Sequence, residues 1–310
     1  MGKRIPSVLY HYCSLQTFQS IIENRSIWLS DISKSNDAQE LNWMHNQCTF
    51  HILKASVEYL RKMEEAGRLD LVRSNYYENI EKLQNYVKPP IMSKTWTFCL
   101  TEKKDDLGQW RGYADDGSGV AIGFKSGTFE AIDAICHFIN QDQDIYFRKI
   151  KYSKKDIEYF FYEHLGLKNV SADYAPDEVI ELLEKATFSA IWNAPFFKNS
   201  AFKEEKEWRL AFTTSFSTLF DGNIPGLTEK NEKLDNPFHS RYGYIVKNQD
   251  LVSHIEIGFD SMAKCLSSIT IGPKSKLTVV DLKLYLISQG ILKNFSDNSI
   301  KIYTSGNPYR

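Results

Sequence analysis

Long apolar runs are missing from this 310-residue chain, and with them any stretch of the roughly 20 residues that a membrane-crossing helix needs. The opening Met1-Gly2-Lys3-Arg4-Ile5-Pro6 is charged but lacks the apolar core of a secretory signal. Cysteine is sparse and scattered: Cys13, Cys48, Cys99, Cys136 and Cys265 form no Cys-x-x-Cys pair. That argues against a disulfide framework and against a zinc ribbon. Neither sign of charge dominates, with 38 basic residues against 39 acidic and a net charge of -1, so no global pull towards nucleic acid or an acidic membrane is implied. Repeats, low-complexity tracts and Gly/Ser linkers are also absent. The expectation is a soluble, reduced, cytoplasmic protein without membrane partners. It is read as one α+β domain over 1–310, with a mixed, largely antiparallel sheet and the helices of 38–90 as an insertion.

What the chain has in quantity is aromatic surface: 14% of residues, including 17 Tyr and 19 Phe. Such a chain can build a large core and can also stack planar ligands. The strand signals are Val8–Tyr12, Ile27–Ser30, Thr95–Leu100, Gly119–Phe124, Ile145–Tyr152, Glu207–Thr214, Tyr242–Lys247, His254–Phe259, Ser268–Ile271 and Ile300–Thr304. Helical spacing predicts a helix after Ser14, a long one over 38–67, and others over 69–87, 155–167, 177–194 and 279–289. Ser35-Asn36-Asp37 is read as a turn and cap, Asp105-Asp106 as the cap of a helical turn over 107–113, and 221–237 as loop.

Three segments set polar groups among rings: Leu9-Tyr10-His11-Tyr12, Gln109-Trp110-Arg111-Gly112-Tyr113, and Phe202 to Leu210. A buried polar group without a partner costs roughly 1–3 kcal/mol, so such residues inside a sheet are expected to line a cavity. In the last segment Trp208, Leu210 and Phe212 alternate with Glu207, Arg209 and Ala211, which puts Glu207 and Arg209 on one sheet face. His11, Trp110, Arg111, Tyr113, Glu207 and Arg209 are expected to converge on one cleft. Competing motifs are weaker. Gly117, Gly119 and Gly123 have the wrong spacing for a dinucleotide fingerprint and fall on a strand. Cys48 and His51 share a helical face but find no second pair, so no metal is expected. Cys13 and Cys99 carry no nucleophile signature.

Taken in order, Leu9–Tyr12, Ser35–Asp37, Phe98–Glu102, Trp110-x-x-Tyr113-Ala114, Gly119–Phe124, Phe202-x-x-Glu205-x-Glu207-Trp208-Arg209 and Ile271–Lys274 resemble a large bacterial family, domain of unknown function 2971. More weakly, the chain resembles the ADP-ribosyltransferase superfamily, in which a split sheet holds NAD between an early His, a central aromatic or Ser, and a late Glu. That resemblance implies a split sheet, NAD as substrate, Glu207 and His11 as catalytic groups, and His11, Trp110, Arg111, Tyr113 and Arg209 as NAD contacts. Arg111 or Arg209 would meet the pyrophosphate, and a ring of Trp96, Trp110 or Tyr113 would stack on nicotinamide. Glu205 stands where arginine-modifying members have a second acidic residue. The implied activity is ADP-ribose transfer to a protein or nucleic acid, or NAD hydrolysis, as a toxin or phage-defence effector. The alternative is a non-catalytic nucleotide- or nucleic-acid-binding module of a bacterial defence or stress system.

Overall fold

The computed structural model describes residues 5–34, 40–86, 93–138, 145–215, 225–230, 235–247 and 249–309. Its strands are β1 (Val8–Cys13), β2 (Ser26–Asp31), β3 (Ser93–Thr101), β4 (Val120–Lys125), β5 (Cys136–Phe138) and β6 (Tyr146–Lys149). They continue as β7 (Glu207–Ser215), β8 (Leu227–Glu229), β9 (Phe238–Lys247), β10 (Asp250–Phe259), β11 (Leu266–Ile271) and β12 (Lys301–Thr304). The helices are α1 (Leu15–Asn24), α2 (Glu40–Glu65), α3 (Ser74–Tyr86), α4 (Leu107–Tyr113), α5 (Ser126–Ile135), α6 (Lys154–Glu158), α7 (Pro176–Asn193), α8 (Met262–Cys265) and α9 (Val279–Ser288). No helix among the described residues is long and apolar enough to cross a membrane.

Ten strands form one sheet in the order β12-β11-β4-β1-β3-β2-β10-β9, with β7 and then β6 on the other edge of β3. Every pairing is antiparallel except β11 with β12, so the chain is α+β with a mixed, mostly antiparallel sheet. The sheet forks at β3. One edge of β3 is taken by β7 along its whole length, from Ser93↔Ser215 to Thr101↔Glu207. The other edge is shared: β2 pairs at Thr97↔Ser30 and β1 at Thr101↔Tyr10, leaving residues 98–100 without a strand neighbour on that side.

Strand alternation explains the main core. Trp96, Phe98 and Leu100 on β3 and Trp208, Leu210 and Phe212 on β7 share one face and join a single buried apolar cluster with residues of β1, β2, β4 and β10. Each large side chain fully buried there contributes about 1.5–3 kcal/mol. A second apolar cluster is helical: Met44, Cys48, Ile52, Ala55, Tyr59 and Met63 form one stripe of α2 against α3, α7 and the segment after α6. The suggested Cys48–His51 ligand pair is spoken for here. Cys48 packs in this cluster, and His51 stacks on Phe161 and pairs through Nδ1 with the Tyr162 hydroxyl at 3.1 Å.

Three local expectations need correcting. The helix expected over 155–167 stops as α6 and widens at 159–164, where Leu165 N–H reaches back to Phe160 O at 2.9 Å. The wider turn lets adjacent Phe160 and Phe161 both point inward. The segment Ser126–Ile135, given no element by the sequence pattern, is a helix burying Phe129 and Ile132. The loop expected over 221–237 contains β8, paired with β5. The strand expected from Glu207 does begin there, as β7, directly after 200–205 coil into a tight helical turn ended by Lys206 at φ 47°. The Ser35-Asn36-Asp37 cap lies outside the described residues.

Candidate functional site

Glu207 opens β7 and Arg209 follows on the same face, opposite Trp208 and Leu210. Arg209 donates from Nε to Glu207 Oε1 at 2.6 Å and from Nη2 to Oε2 at 3.1 Å, and its Nη1 donates to Pro195 O at 2.9 Å. A planar guanidinium matches a carboxylate in this two-point manner, which a lysine could not do. Both residues are buried, at 5% and 2% exposure.

The short turns before β7 deliver the rest. Lys198, itself buried, sends Nζ to Glu205 Oε2 at 2.7 Å and to Glu207 Oε2 at 3.4 Å, so two carboxylates converge on one ammonium. Glu205 is the more open of the two, with 18% of its side chain exposed. The Tyr113 hydroxyl, from the last turn of α4, donates to Glu205 Oε1 at 2.9 Å. Tyr152 accepts the Glu207 backbone N–H at 2.9 Å, and Thr101 donates to Glu205 O at 2.6 Å. The Cys99 thiol, in register with Arg209, also approaches the Glu207 carboxylate. Two cations and two anions thus sit together with no net charge.

Burial pushes the Glu207 carboxyl up, but Arg209 and then Lys198 more than offset it, holding it below the ordinary carboxylate range. Burial, then the Glu205 charge, raise the pKa of the Tyr113 hydroxyl, although the residue as a whole stays 44% exposed. The site therefore offers an ionised, rigid carboxylate beside a more accessible one, with a protonated phenol bonded to the latter. Such a set can stabilise a developing cation and accept a proton from a nucleophile.

Of the six residues expected to converge, the structure brings together Tyr113, Glu207 and Arg209. His11, Trp110 and Arg111 lie elsewhere. His11 alternates with Tyr10 and Tyr12, so it falls on the Leu9–Cys13 side of β1, where its ring stacks on Phe98 at 4.3 Å. It fills the fork, donating from Nδ1 to Cys99 O at 2.9 Å, the carbonyl that neither β1 nor β2 covers. Trp110 is fully buried, edge-on to Tyr12 at 4.7 Å, with Nε1 donating to Asp105 Oδ1 at 2.6 Å. Trp96 is likewise buried, its Nε1 bonded to Ser253. Only Tyr113 among the candidate stacking rings reaches the surface. Arg111 lies over the Tyr309 ring at 4.7 Å, on the strap that Asp105 anchors through Ser305, Gly306 and Asn307. The Arg209 fork, engaged by Glu207 and Pro195, is not presented to a phosphate.

The fork position of His11 has a measurable consequence. Burial lowers its pKa to about 4, against a smaller opposing effect of the Cys99 carbonyl, and burial does the same to His51. Because these folded values lie below the unfolded one, the unfolded chain takes up protons first as pH falls. Stability is then complete above about pH 6.5 and is lost from there down to about pH 4. From pH 7 to pH 5 each ring should remove up to about 2 kcal/mol, read from urea midpoints. His11→Asn, which keeps a donor for Cys99 O, should flatten the slope, with His51 and His254 carrying the remainder. A slope unchanged in His11→Asn would mean that the His11 ring is solvated.

Lys198, Arg148 and Tyr152 were not singled out by sequence reasoning. Lys198 follows two phenylalanines with no periodic signal. Arg148 is visible in retrospect, since β6 places it in register with Arg209 on the same face, exposed, over the Tyr146 ring at 4.4 Å. Among the described residues no group of three or more His, Cys, Asp or Glu could hold a metal ion.

A family model described as "Protein of unknown function (DUF2971)" matches residues 109–210. The matched span includes Tyr113, Lys198, Glu205, Glu207 and Arg209 and leaves out β1 with His11 and the 271–274 turn. No curated protein and no solved structure matches the chain.

Proposed function

We propose that the chain cleaves the N-glycosidic bond of NAD or a related nucleotide at the Glu205–Glu207 pair, passing ADP-ribose to a macromolecule or to water. The observation that carries this reading is the convergence of two carboxylates on Lys198, one buried and kept ionised, the other open beside the exposed Tyr113. In the reaction the bond from ribose C1′ to the pyridinium nitrogen breaks, and its electron pair leaves with neutral nicotinamide. The ribose becomes oxocarbenium-like, and Glu207 stabilises that charge from a fixed position. Acceptor oxygen or nitrogen then bonds to C1′, and its proton passes to Glu205. Tyr113 supplies the exposed ring on which nicotinamide stacks. The cluster is neutral, so the phosphates must find a cation outside it.

Purified protein incubated with NAD should release nicotinamide, and Glu207→Gln should lower that rate about 10²–10³-fold with NAD affinity nearly unchanged. Glu205→Gln, at the more solvated carboxylate, serves if Glu207→Gln does not fold. The second reading, a non-catalytic nucleotide- or nucleic-acid-binding module, is favoured by one fact: both Glu207 oxygens already have partners. Absence of nicotinamide release with water, protein or RNA as acceptor would favour it and sink the enzyme.

A further inference from the structure

Beside the charged cluster lies a groove of about 360 Å³ with no assigned role. It runs between α2 and the segments around residues 152–157 and 199–200. Trp43, Gln47 and Phe50 line one wall at helical spacing i, i+4, i+7, a stripe adjacent to the one α2 buries in the helical core. Phe50 is 56% exposed, an unusual position for a phenylalanine that serves only packing. Opposite stand Tyr152, Lys154 and Asn199. Lys154 is held only at 3.9 Å from Glu158, with 84% of its side chain exposed, so its charge is available to a ligand. Asn199 uses its carbonyl oxygen to cap the turn at Ala201, which leaves the amide NH₂ to donate. Tyr152 forms the partition: its ring lines the groove while its hydroxyl holds the Glu207 N–H.

Aromatic walls, two side-chain amides and one loosely held cation describe a particular ligand. It is planar, has hydrogen-bonding edges, and carries a negative charge near one end. The volume falls in the lower part of the range of about 300–1,000 Å³ typical of small-molecule sites, enough for one nucleoside unit. We propose that the groove is a nucleobase subsite, holding the base of a nucleotide against Trp43 and Phe50 with its 5′-phosphate on Lys154. A dinucleotide seated there reaches past Tyr152 to Glu205 and Glu207, and in that respect the proposal rests on the reading of the cleft given above. It also supplies the cation that the neutral cluster lacks.

The probe is adenosine 5′-monophosphate, titrated calorimetrically into the full chain beside adenosine. Wild type should bind it, and Phe50→Ala and Trp43→Ala should each weaken binding roughly 10- to 100-fold, the range for loss of one base-stacking ring. Phe50 is exposed, so its variant should fold unchanged. Lys154→Ala should weaken the monophosphate and leave adenosine unaffected. No binding by wild type, or equal binding by all three variants, overturns the subsite. The two readings separate cleanly. Nicotinamide release with a KM for NAD indifferent to Phe50 and Trp43 removes the subsite and leaves the cleft. Ring-dependent binding of the monophosphate without nicotinamide release keeps the subsite and removes the chemistry.

Discussion

Arg209→Met should lower stability by about 3–5 kcal/mol, the range for a buried ion pair broken from one side. The substitution fills much of the same volume, so packing changes little. What changes is Glu207, which loses the two-point contact at 2.6 and 3.1 Å and keeps Lys198 at 3.4 Å as its one cation, beside the Cys99 thiol. Lys198 is already committed to Glu205 at 2.7 Å and cannot neutralise both carboxylates fully. The carboxyl pKa of Glu207, held down by Arg209 and Lys198 against burial, should rise towards and past its ordinary value. A depressed folded pKa gives stability that is present above the unfolded value and lost as pH falls through the folded one. Wild type should therefore lose this contribution only in acid, whereas Arg209→Met should lack it already at neutral pH. The double variant Glu207→Met/Arg209→Met should recover most of the loss, since two apolar side chains of similar length leave no uncompensated carboxylate at position 207. Urea midpoints of the four proteins close the cycle. A single-variant cost below about 1 kcal/mol would place the pair in solvent-like surroundings and would remove the rigid carboxylate from the proposed chemistry.

The same residues show how far the sequence could be read. The pairing of Glu207 with Arg209 was legible because a strand has a period of two, and Trp208, Leu210 and Phe212 declare which face is buried. The same parity rule places His11 with Leu9 and Cys13, away from Glu207, once β1 and β7 are known to flank β3; the expectation of one cleft overlooked it. That neighbourhood depends on long-range pairing, Tyr10 with Thr101 and Thr101 with Glu207, which no local pattern encodes. The segment from Gln109 to Tyr113 misled for a different reason. Its helical turn is legible from the Asp105-Asp106 cap, yet its indole, guanidinium and phenol were all assigned to one cleft. Wound into α4, successive side chains diverge by about 100°, so Trp110 turns to the core, Arg111 to Tyr309 and Tyr113 to Glu205. Lys198 was invisible because it reaches the cluster from a turn with no period at all. The helix α5 was missed because its buried Phe129 and Ile132 are too few to set a helical period apart from the strand that precedes them.

Gly119→Ala should cost about 3 kcal/mol or more, or prevent soluble expression, although it adds one methyl group outside the charged cluster. A Cβ at this position would stand 2.1 Å from Cys13 O and 3.2 Å from Ala114 O, both backbone atoms that cannot swing aside. Three chain segments meet here. Gly119 N–H donates to Ala114 O at 3.0 Å, its own carbonyl accepts from Gly272 N–H at 3.0 Å, and Lys274 N–H donates to Gly117 O at 2.9 Å. The turn between α4 and β4 passes through Asp115, Asp116 and Gly117 at φ 46°, 52° and 88°, a left-handed run that Asp and Gly tolerate best. Gly119 and Gly272 thus serve close backbone approach, Gly117 serves the left-handed turn, and Ile271–Lys274 is the third segment of the junction. Gly127→Ala is the control: it lies in α5, has nothing within 4 Å of an added Cβ, and should be neutral or stabilising by up to about 1 kcal/mol. The junction bears on the candidate site through Ala114, which caps α4 directly after Tyr113. If Gly119→Ala folds, displacement of that cap should break the Tyr113–Glu205 hydrogen bond, and under the proposed chemistry nicotinamide release should fall even at temperatures where the fold is intact. Wild-type stability in Gly119→Ala, measured by urea titration against Gly127→Ala, would mean that the three segments are not in contact as described.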